Sequence, residues 1–268
     1  MDLIPQLGEK SIRACITSPP YANQRTGDSS TQTVFYDGVP VEDYPRWTLD
    51  WMNSLRPKLT DDGSVFIVIR PHLRKGVISD YVLKTRLALR EAGWCECEEL
   101  IWLKPDAPPL GSIYRPRRTW EQILWFSLSG SPFADLKACG NKKSNRVGGY
   151  AGSDRFGEGS VTAKGQVREL KKGVSRCTDV FTAYVGEIES GVMHPAMYPT
   201  SLTDQLVQTF TEKGDLVLDP FMGSGQTALS CVRFDRHFVG FDSCDEYVQI
   251  AQNRILAEKD SHDGLQPN

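Results

Sequence analysis

One run of the chain constrains the fold more than any other: Leu216-Val217-Leu218-Asp219-Pro220-Phe221-Met222-Gly223-Ser224-Gly225-Gln226-Thr227-Ala228. An apolar strand ends in an acid and a proline, turns on two glycines and enters a helix. Glycines let backbone pass close to a ligand, and a helix N-terminus offers N–H groups with no partner inside the helix. By itself Gly223-Ser224-Gly225-Gln226-Thr227-Ala228 fits the dinucleotide fingerprint in its Gly/Ala form. It is not an ATP phosphate loop, because no Gly-Lys-Ser/Thr follows. Asp242 closes the next strand seventeen residues after Gly225, where an acid accepts from ribose hydroxyls. Asp219 changes the ligand expected. A carboxylate beside the glycines repels pyrophosphate but suits a cationic, phosphate-free nucleoside, and S-adenosylmethionine (AdoMet) is such a molecule.

Short β-rich runs alternate with helical patterns on both sides of a glycine-rich middle. Ala14-Cys15-Ile16-Thr17 reads as a strand entering a Pro-Pro loop, and Trp47, Trp51 and Leu55 recur at helical spacing up to Pro57. Asp62-Gly63 predicts a turn into a buried strand from Val65 to Ile69. A helix is expected from about Val77 to Glu91, closed by Gly93, then strands at Glu98 to Leu103 and Gln122 to Leu128. Beyond the middle, Leu202, Leu206, Val207 and Phe210 share a helix face. His237 to Phe241 reads as a strand and Tyr247 to Ala257 as a last helix. Such alternation predicts an α/β fold, doubly wound and mostly parallel, with helices on both faces.

The 268 residues, 40% apolar and 24% charged, suffice for one large α/β domain or two small ones. The longest apolar runs fall far short of the roughly 20 residues of a membrane span. The start, Met1-Asp2-Leu3-Ile4-Pro5, lacks a signal pattern, so a cytoplasmic protein without a membrane partner is expected. Seven scattered cysteines, with no pair of Cys-x-x-Cys elements, read as reduced structural residues, and no metal is expected. A net charge of −3 argues against nucleic acid until its distribution is examined. Ser131 to Thr178 holds ten Lys/Arg against four acids, so it carries +6 and the remainder −9. That basic block has eight glycines and no sustained periodicity, and it reads as loop-rich.

Thr17-Ser18-Pro19-Pro20-Tyr21 leaves the first strand at its C-terminal end, where open α/β sheets place their sites. Two prolines stiffen the loop and supply carbonyls but no N–H donors, an acceptor array suited to an amine. Tyr21 can stack on a planar ring. This pentapeptide and Asp219 to Gly225 together resemble the catalytic and AdoMet-binding motifs of the DNA amino-methyltransferases. Catalytic motif first, basic region next and AdoMet motif last is similar to the β-class order. The resemblance covers essentially the whole chain outside the basic block, and His194 to Pro199 resembles a second AdoMet-contacting segment.

That resemblance implies a mostly parallel, Rossmann-like methyltransferase sheet with a loop-rich target-recognition insertion. Residues 1–130 would be the catalytic half, 131–190 the recognition region and 191–268 the AdoMet half. It implies catalytic Ser18, Pro19, Pro20 and Tyr21, and cofactor contacts from Thr17, Tyr198, Asp219, Pro220, Phe221, Gly223, Gly225, Thr227 and Asp242. DNA contacts are expected from Lys142, Lys143, Arg146, Lys171, Lys172, Arg117 and Arg118, with double-stranded DNA as partner. A cognate restriction endonuclease and a second copy of the chain stay open as partners. In the family, Ser-Pro-Pro-Tyr goes mostly with N4-cytosine, and Asp or Asn in place of serine mostly with N6-adenine, so Ser18 points to cytosine. Methylation at C5 would need Pro-Cys, and none of the seven cysteines follows a proline.

Rival readings explain less. Adenine-N6 methylation remains the alternative. Glutamine methylation of protein uses a Pro-Pro-Tyr that begins with Asn and follows the glycine loop. A DNA-binding regulator would not need both intact motifs, and a nicotinamide oxidoreductase leaves Ser18 to Tyr21 unexplained. Ala22 to Gly38 is expected as a flap, and Trp47 and Trp51 as core. His72 reads as incidental, and Thr200 or Ser201 as a competing helix cap beside Tyr198. Only sixteen residues precede Thr17, where the family usually has a further strand and a Gly-Asp segment. Asp2 could be what is left of that acid; either the sheet lacks a strand or the tail after Lys259 replaces it.

Overall fold

The computed structural model describes residues 3–23, 26–28, 33–36, 38–109, 113–140, 175–187 and 198–263. The chain opens with β1 (Ile12–Thr17) and a small antiparallel pair, β2 (Thr26–Asp28) with β3 (Thr33–Tyr36). Helix α1 (Tyr44–Leu55) leads into β4 (Leu59–Ile69). A hairpin of β5 (Leu73–Arg74) and β6 (Val77–Ile78) precedes α2 (Tyr81–Glu91). Strands β7 (Cys95–Leu103), β8 (Trp120–Ser127) and β9 (Val180–Thr182) follow. The last part holds α3 (Thr200–Phe210), β10 (Leu216–Asp219), α4 (Gln226–Arg233), β11 (His237–Gly240) and α5 (Asp245–Asp263).

Among the described residues seven strands form one sheet in the order β11-β10-β1-β4-β8-β7-β9. Only β8 runs against its neighbours; every other pairing is parallel. The expected doubly wound sheet is therefore present, with one reversed strand. Its centre is apolar on both faces because alternate residues of a strand point to opposite sides. Val65, Ile67 and Ile69 pack with Trp51, Met52 and Leu55 of α1 and with Tyr81, Val82 and Leu89 of α2. Phe66 and Val68 face the other way, toward Leu206, Val207 and Phe210 of α3. Strand β9 lies within the stretch expected as the recognition region, so the sheet draws an edge strand from it.

Two expected boundaries move. Val77 and Ile78 are strand, and α2 begins only at Tyr81. Gly76 at φ +80° ends the preceding turn, so the apolar pair belongs to a hairpin and not to the helix. Asp62-Gly63 is no turn either; β4 runs straight through it. There β4 bulges against β1, pairing Ile12 with Leu59 but Ala14 with Ser64. A Cβ on Gly63 would sit 3.1 Å from the carbonyl oxygens of both Ile12 and Arg13, so the bulge needs glycine. Arg13 bridges Asp62 and Asp215 across the same place.

Among the described residues β11 is a sheet edge, and α5 carries the chain past Lys259 as helix. No helix is long and apolar enough to cross a membrane, among the described residues. Gly63→Ala should lower stability by about 1–3 kcal/mol, because backbone must shift to admit the methyl. Urea unfolding measures it, and an unchanged midpoint would refute the packing described.

Candidate active site

The chain leaves β1 toward β4 through α1, but leaves β10 toward β11 through α4. Neighbours β1 and β10 thus send their connections in opposite directions, which opens a crevice at their C-terminal ends. The Thr17–Tyr21 loop and the Pro220–Gly225 loop both start there, although some 200 residues separate them in sequence.

A single buried carboxylate ties the two loops together. Asp219 is 2% exposed and accepts four hydrogen bonds. Its Oδ1 receives the Thr17 hydroxyl at 2.6 Å and the Phe221 N–H at 3.2 Å. Its Oδ2 receives the Thr227 hydroxyl at 2.8 Å and the Tyr198 hydroxyl at 3.0 Å. No lysine or arginine forms an ion pair with it among the described residues. Burial therefore raises its pKa above the usual carboxylate value, against the lowering effect of the hydrogen bonds. Burial, then this acid, also pushes the Cys15 thiol and the Tyr198 phenol well up, so both stay neutral. Tyr198 serves this network, while Pro199 takes the cap position of α3, ahead of Thr200 and Ser201.

The glycine loop is held from three sides. Gly225, at φ +87°, opens α4, and a Cβ there would lie 3.0 Å from that of Ala251 on α5. Arg254 of α5 donates to the Ser224 carbonyl at 2.6 Å and to Gln226 Oε1 at 2.7 Å. Asp242 accepts from Gly223 N–H at 2.8 Å and Cys244 N–H at 2.9 Å, fastening the loop to the start of α5. Phe221 packs its ring against Trp47 and Trp51, with centroids 5.5 and 5.9 Å away, so both tryptophans serve the core as expected.

In the Thr17–Tyr21 loop the Ser18 hydroxyl donates to the Val68 carbonyl at 3.2 Å. Pro19 is buried and Pro20 and Tyr21 are half-buried. The Tyr21 hydroxyl donates to Glu121 Oε2. Glu121 Oε1 in turn accepts from the buried Lys104 ammonium at 2.6 Å and lies 3.9 Å from Arg70. Burial first, then the Glu121 charge, pushes the Tyr21 phenol well above its usual pKa, so it keeps the proton it donates. Glu121 and Lys104 are neighbours of Tyr21 that the sequence reading missed. The signal was a charged residue heading the apolar run that begins at Gln122. It reaches Tyr21 because β8 runs backwards, which sets its first residues beside the end of β4, with Gln122 opposite Ile69.

Among the expected DNA contacts, Arg117 donates to the Ala107 carbonyl at 3.1 Å and Arg118 to that of Pro71 at 2.5 Å. Lys142, Lys143, Arg146, Lys171 and Lys172 lie outside the described residues, as do Asp2 and His194 to Met197. The Ala22–Gly38 stretch is described in part and carries β2 and β3. His72 stacks on Tyr81 with 5.5 Å between ring centroids.

Comparison with known proteins decides the family. The family described as "DNA methylase" matches residues 12–253, which takes in both loops and every strand of the sheet. The chain belongs to the DNA methylase family. Its motif order makes it a β-class amino-methyltransferase, with the Thr17–Tyr21 motif ahead of the glycine loop. It is similar to the type II methyltransferase M.Cfr9I of Citrobacter freundii, 25% identical over 96% of this chain and 86% of that protein. Likeness to M.PvuII of Proteus hauseri is also 25%, over 96% and 81%. Among solved structures, the PvuII DNA methyltransferase (cytosine-N4-specific) superposes with a TM-score of 0.70 at 22% identity, covering 97% of this chain and 88% of that one. The complex of M1.HpyAVI with SAM superposes with a TM-score of 0.61 at 20% identity, over 95% and 94%. In this methylase, then, the sheet has the fold of those solved methyltransferases.

Lys104→Met should destabilise the methylase by about 3–5 kcal/mol, since it strips the main partner from a buried carboxylate. Adding Glu121→Gln should restore most of that loss. Equal urea midpoints for the single variant and the parent would contradict the buried pairing.

Proposed function

We propose that this methylase transfers a methyl group from AdoMet to the exocyclic N4 of a cytosine flipped out of double-stranded DNA. The carrying observation is the Ser18 hydroxyl at the crevice. Its proton is committed to the Val68 carbonyl, so the lone pairs of Oγ are what it presents to a substrate. An acceptor beside a carbonyl-bearing Pro-Pro turn suits the two N–H bonds of an amine. The N4 lone pair of cytosine is delocalised into the ring. Hydrogen bonds from N4–H to Ser18 Oγ and the Pro19 carbonyl bias that nitrogen toward tetrahedral geometry and free the pair. Catalysis is mainly positioning.

The residues present fit AdoMet. Asp219 is a buried negative charge lacking a cationic side-chain partner among the described residues, and a ligand with sulfonium and ammonium groups supplies the missing charge. Gly223 and Gly225 keep side chains out of the loop, and Asp242 retains lone pairs for ribose hydroxyls. Thr17, Tyr198 and Thr227 hold Asp219 in place, with Pro220 and Phe221 beside it. When bound, AdoMet supplies a methyl group on positively charged sulfur, open to an amine lone pair.

Flipping the base costs a few kcal/mol, and stacking on Tyr21 returns roughly 1–3 kcal/mol. Residues 131–190, between a catalytic half 1–130 and an AdoMet half 191–268, are read as the target-recognition region. Lys142, Lys143, Arg146, Lys171 and Lys172 there, with Arg117 and Arg118, meet phosphates. Ser18, where N6-adenine enzymes mostly carry an acidic or amide residue, favours cytosine. The relative described as cytosine-N4-specific supports the same choice. Relatives named type II methyltransferases support a cytoplasmic setting and a restriction endonuclease of matching specificity as partner.

Ser18→Ala should abolish transfer of radioactive methyl to DNA while AdoMet binding, read by calorimetry, persists. Parallel loss of both would contradict the role given to Ser18. Asp219→Asn should weaken AdoMet by about tenfold or more, because the buried charge that attracts the cation is gone. Its melting temperature should fall as well, because an amide nitrogen cannot accept where a carboxylate oxygen did. Affinity is therefore read at a temperature where the variant is folded, and unchanged affinity would refute the charge argument.

A further inference from the structure

The hairpin that displaced the expected start of α2 is built unlike the rest of the molecule. It pairs Leu73 with Ile78 and Arg74 with Val77 across a two-residue turn. Both turn residues have positive φ, Lys75 at 49° and Gly76 at 80°, the tight type I′ geometry. Lysine enters that region at an energetic penalty, so surrounding structure must enforce it. Cross-strand partners share a face and successive residues alternate. Ile78 therefore stands on one face and Val77 on the other, and they are 61% and 70% exposed. A hairpin normally buries one face; here Leu73 and Ile78 on one face and Val77 on the other are all exposed, and an isolated pair of short strands is marginal in water.

Two arginine hydrogen bonds from outside the hairpin and one across its own base hold it in place. Arg115 donates to the Gly76 carbonyl at 2.7 Å, bracing the tip. Arg118 donates to the Pro71 carbonyl at 2.5 Å, and Ser79 N–H to the His72 carbonyl at 2.9 Å, bracing the base. The hairpin continues β4 beyond its C-terminal end, on the strand next to the one that carries Ser18 and Tyr21. Arg70, next in the chain to Pro71, lies 3.9 Å from Glu121, which accepts the Tyr21 hydroxyl, and this places the hairpin base beside the Tyr21–Glu121 pair. A stiff apolar blade, with Lys75 at its tip and Arg115 behind it, thus rises from the rim of the crevice.

We propose that the Leu73–Ile78 hairpin is a strand-opening wedge: Val77 and Ile78 enter the base stack of duplex DNA beside the target cytosine, while Lys75 and Arg115 meet the flanking phosphates. Apolar side chains between base steps compensate lost stacking, and flanking cations complement the phosphate charge. The inference rests on the reading of the chain as a methylase of a flipped base. It adds the group that fills the space the base leaves.

The test compares the parent with Val77→Asn/Ile78→Asn, whose substituted side chains are exposed. Substrates are a duplex carrying the target mapped by sequencing methylated DNA, and the same duplex with the target cytosine mispaired. On the matched duplex the variant should lose about tenfold or more in kcat/KM, with melting temperature and AdoMet affinity unchanged. On the mispaired duplex, where unstacking is already cheap, most of that loss should vanish. Equal rates on the matched duplex, an equal loss on both duplexes, or a loss that follows dissociation of a dimer in sedimentation would each overturn the wedge. A parent protein that methylates neither duplex would overturn the function and the wedge together.

Discussion

The structure depends on one buried carboxylate that forms no ion pair among the described residues. Asp219 gathers two threonine hydroxyls, one tyrosine hydroxyl and a backbone N–H from four segments of the chain. Without those donors a charge at this depth would not be tolerated. With them, Thr17 on β1 and Thr227 on α4 are locked to the end of β10, and the two loops of the crevice take their places relative to each other. The hydrogen bonds stabilise the anion without cancelling its charge. A site that must receive a cationic ligand needs a field of that kind, and a salt bridge would have removed it.

The far wall of the crevice follows the opposite plan. There Glu121 is neutralised by Lys104 and Arg70, and what it delivers is a fixed acceptor for the Tyr21 hydroxyl. A compensated acid on that side holds an aromatic ring still without adding a field that would repel DNA. Charge left open at Asp219 and closed at Glu121 gives the crevice its polarity. Ser18 sits between, its proton directed into the scaffold and its lone pairs outward.

Much of this was legible in the sequence because it depends on local chemistry. The glycine run names its own turn, the Pro-Pro loop names its own stiffness, and strand alternation names the sheet. What the sequence hid depends on direction and register. Nothing local says that β8 runs backwards, yet that reversal alone brings Glu121 to Tyr21 across 100 residues. Asp62-Gly63 carries a turn signal, but glycine there answers a close approach of β1 backbone that only pairing reveals. Val77 and Ile78 extend the apolar pattern toward α2, and only the positive φ of Lys75 and Gly76 separates them from it. Asp219 was expected as a ligand contact; its larger work, joining four segments, needed their spatial neighbours to be known.

The most direct measurement identifies the modified nucleoside. DNA incubated with the protein and AdoMet, digested to nucleosides and separated by mass spectrometry, should contain N4-methyldeoxycytidine and no other new methylated base. N6-methyldeoxyadenosine in its place, or no methylated nucleoside at all, would contradict the account.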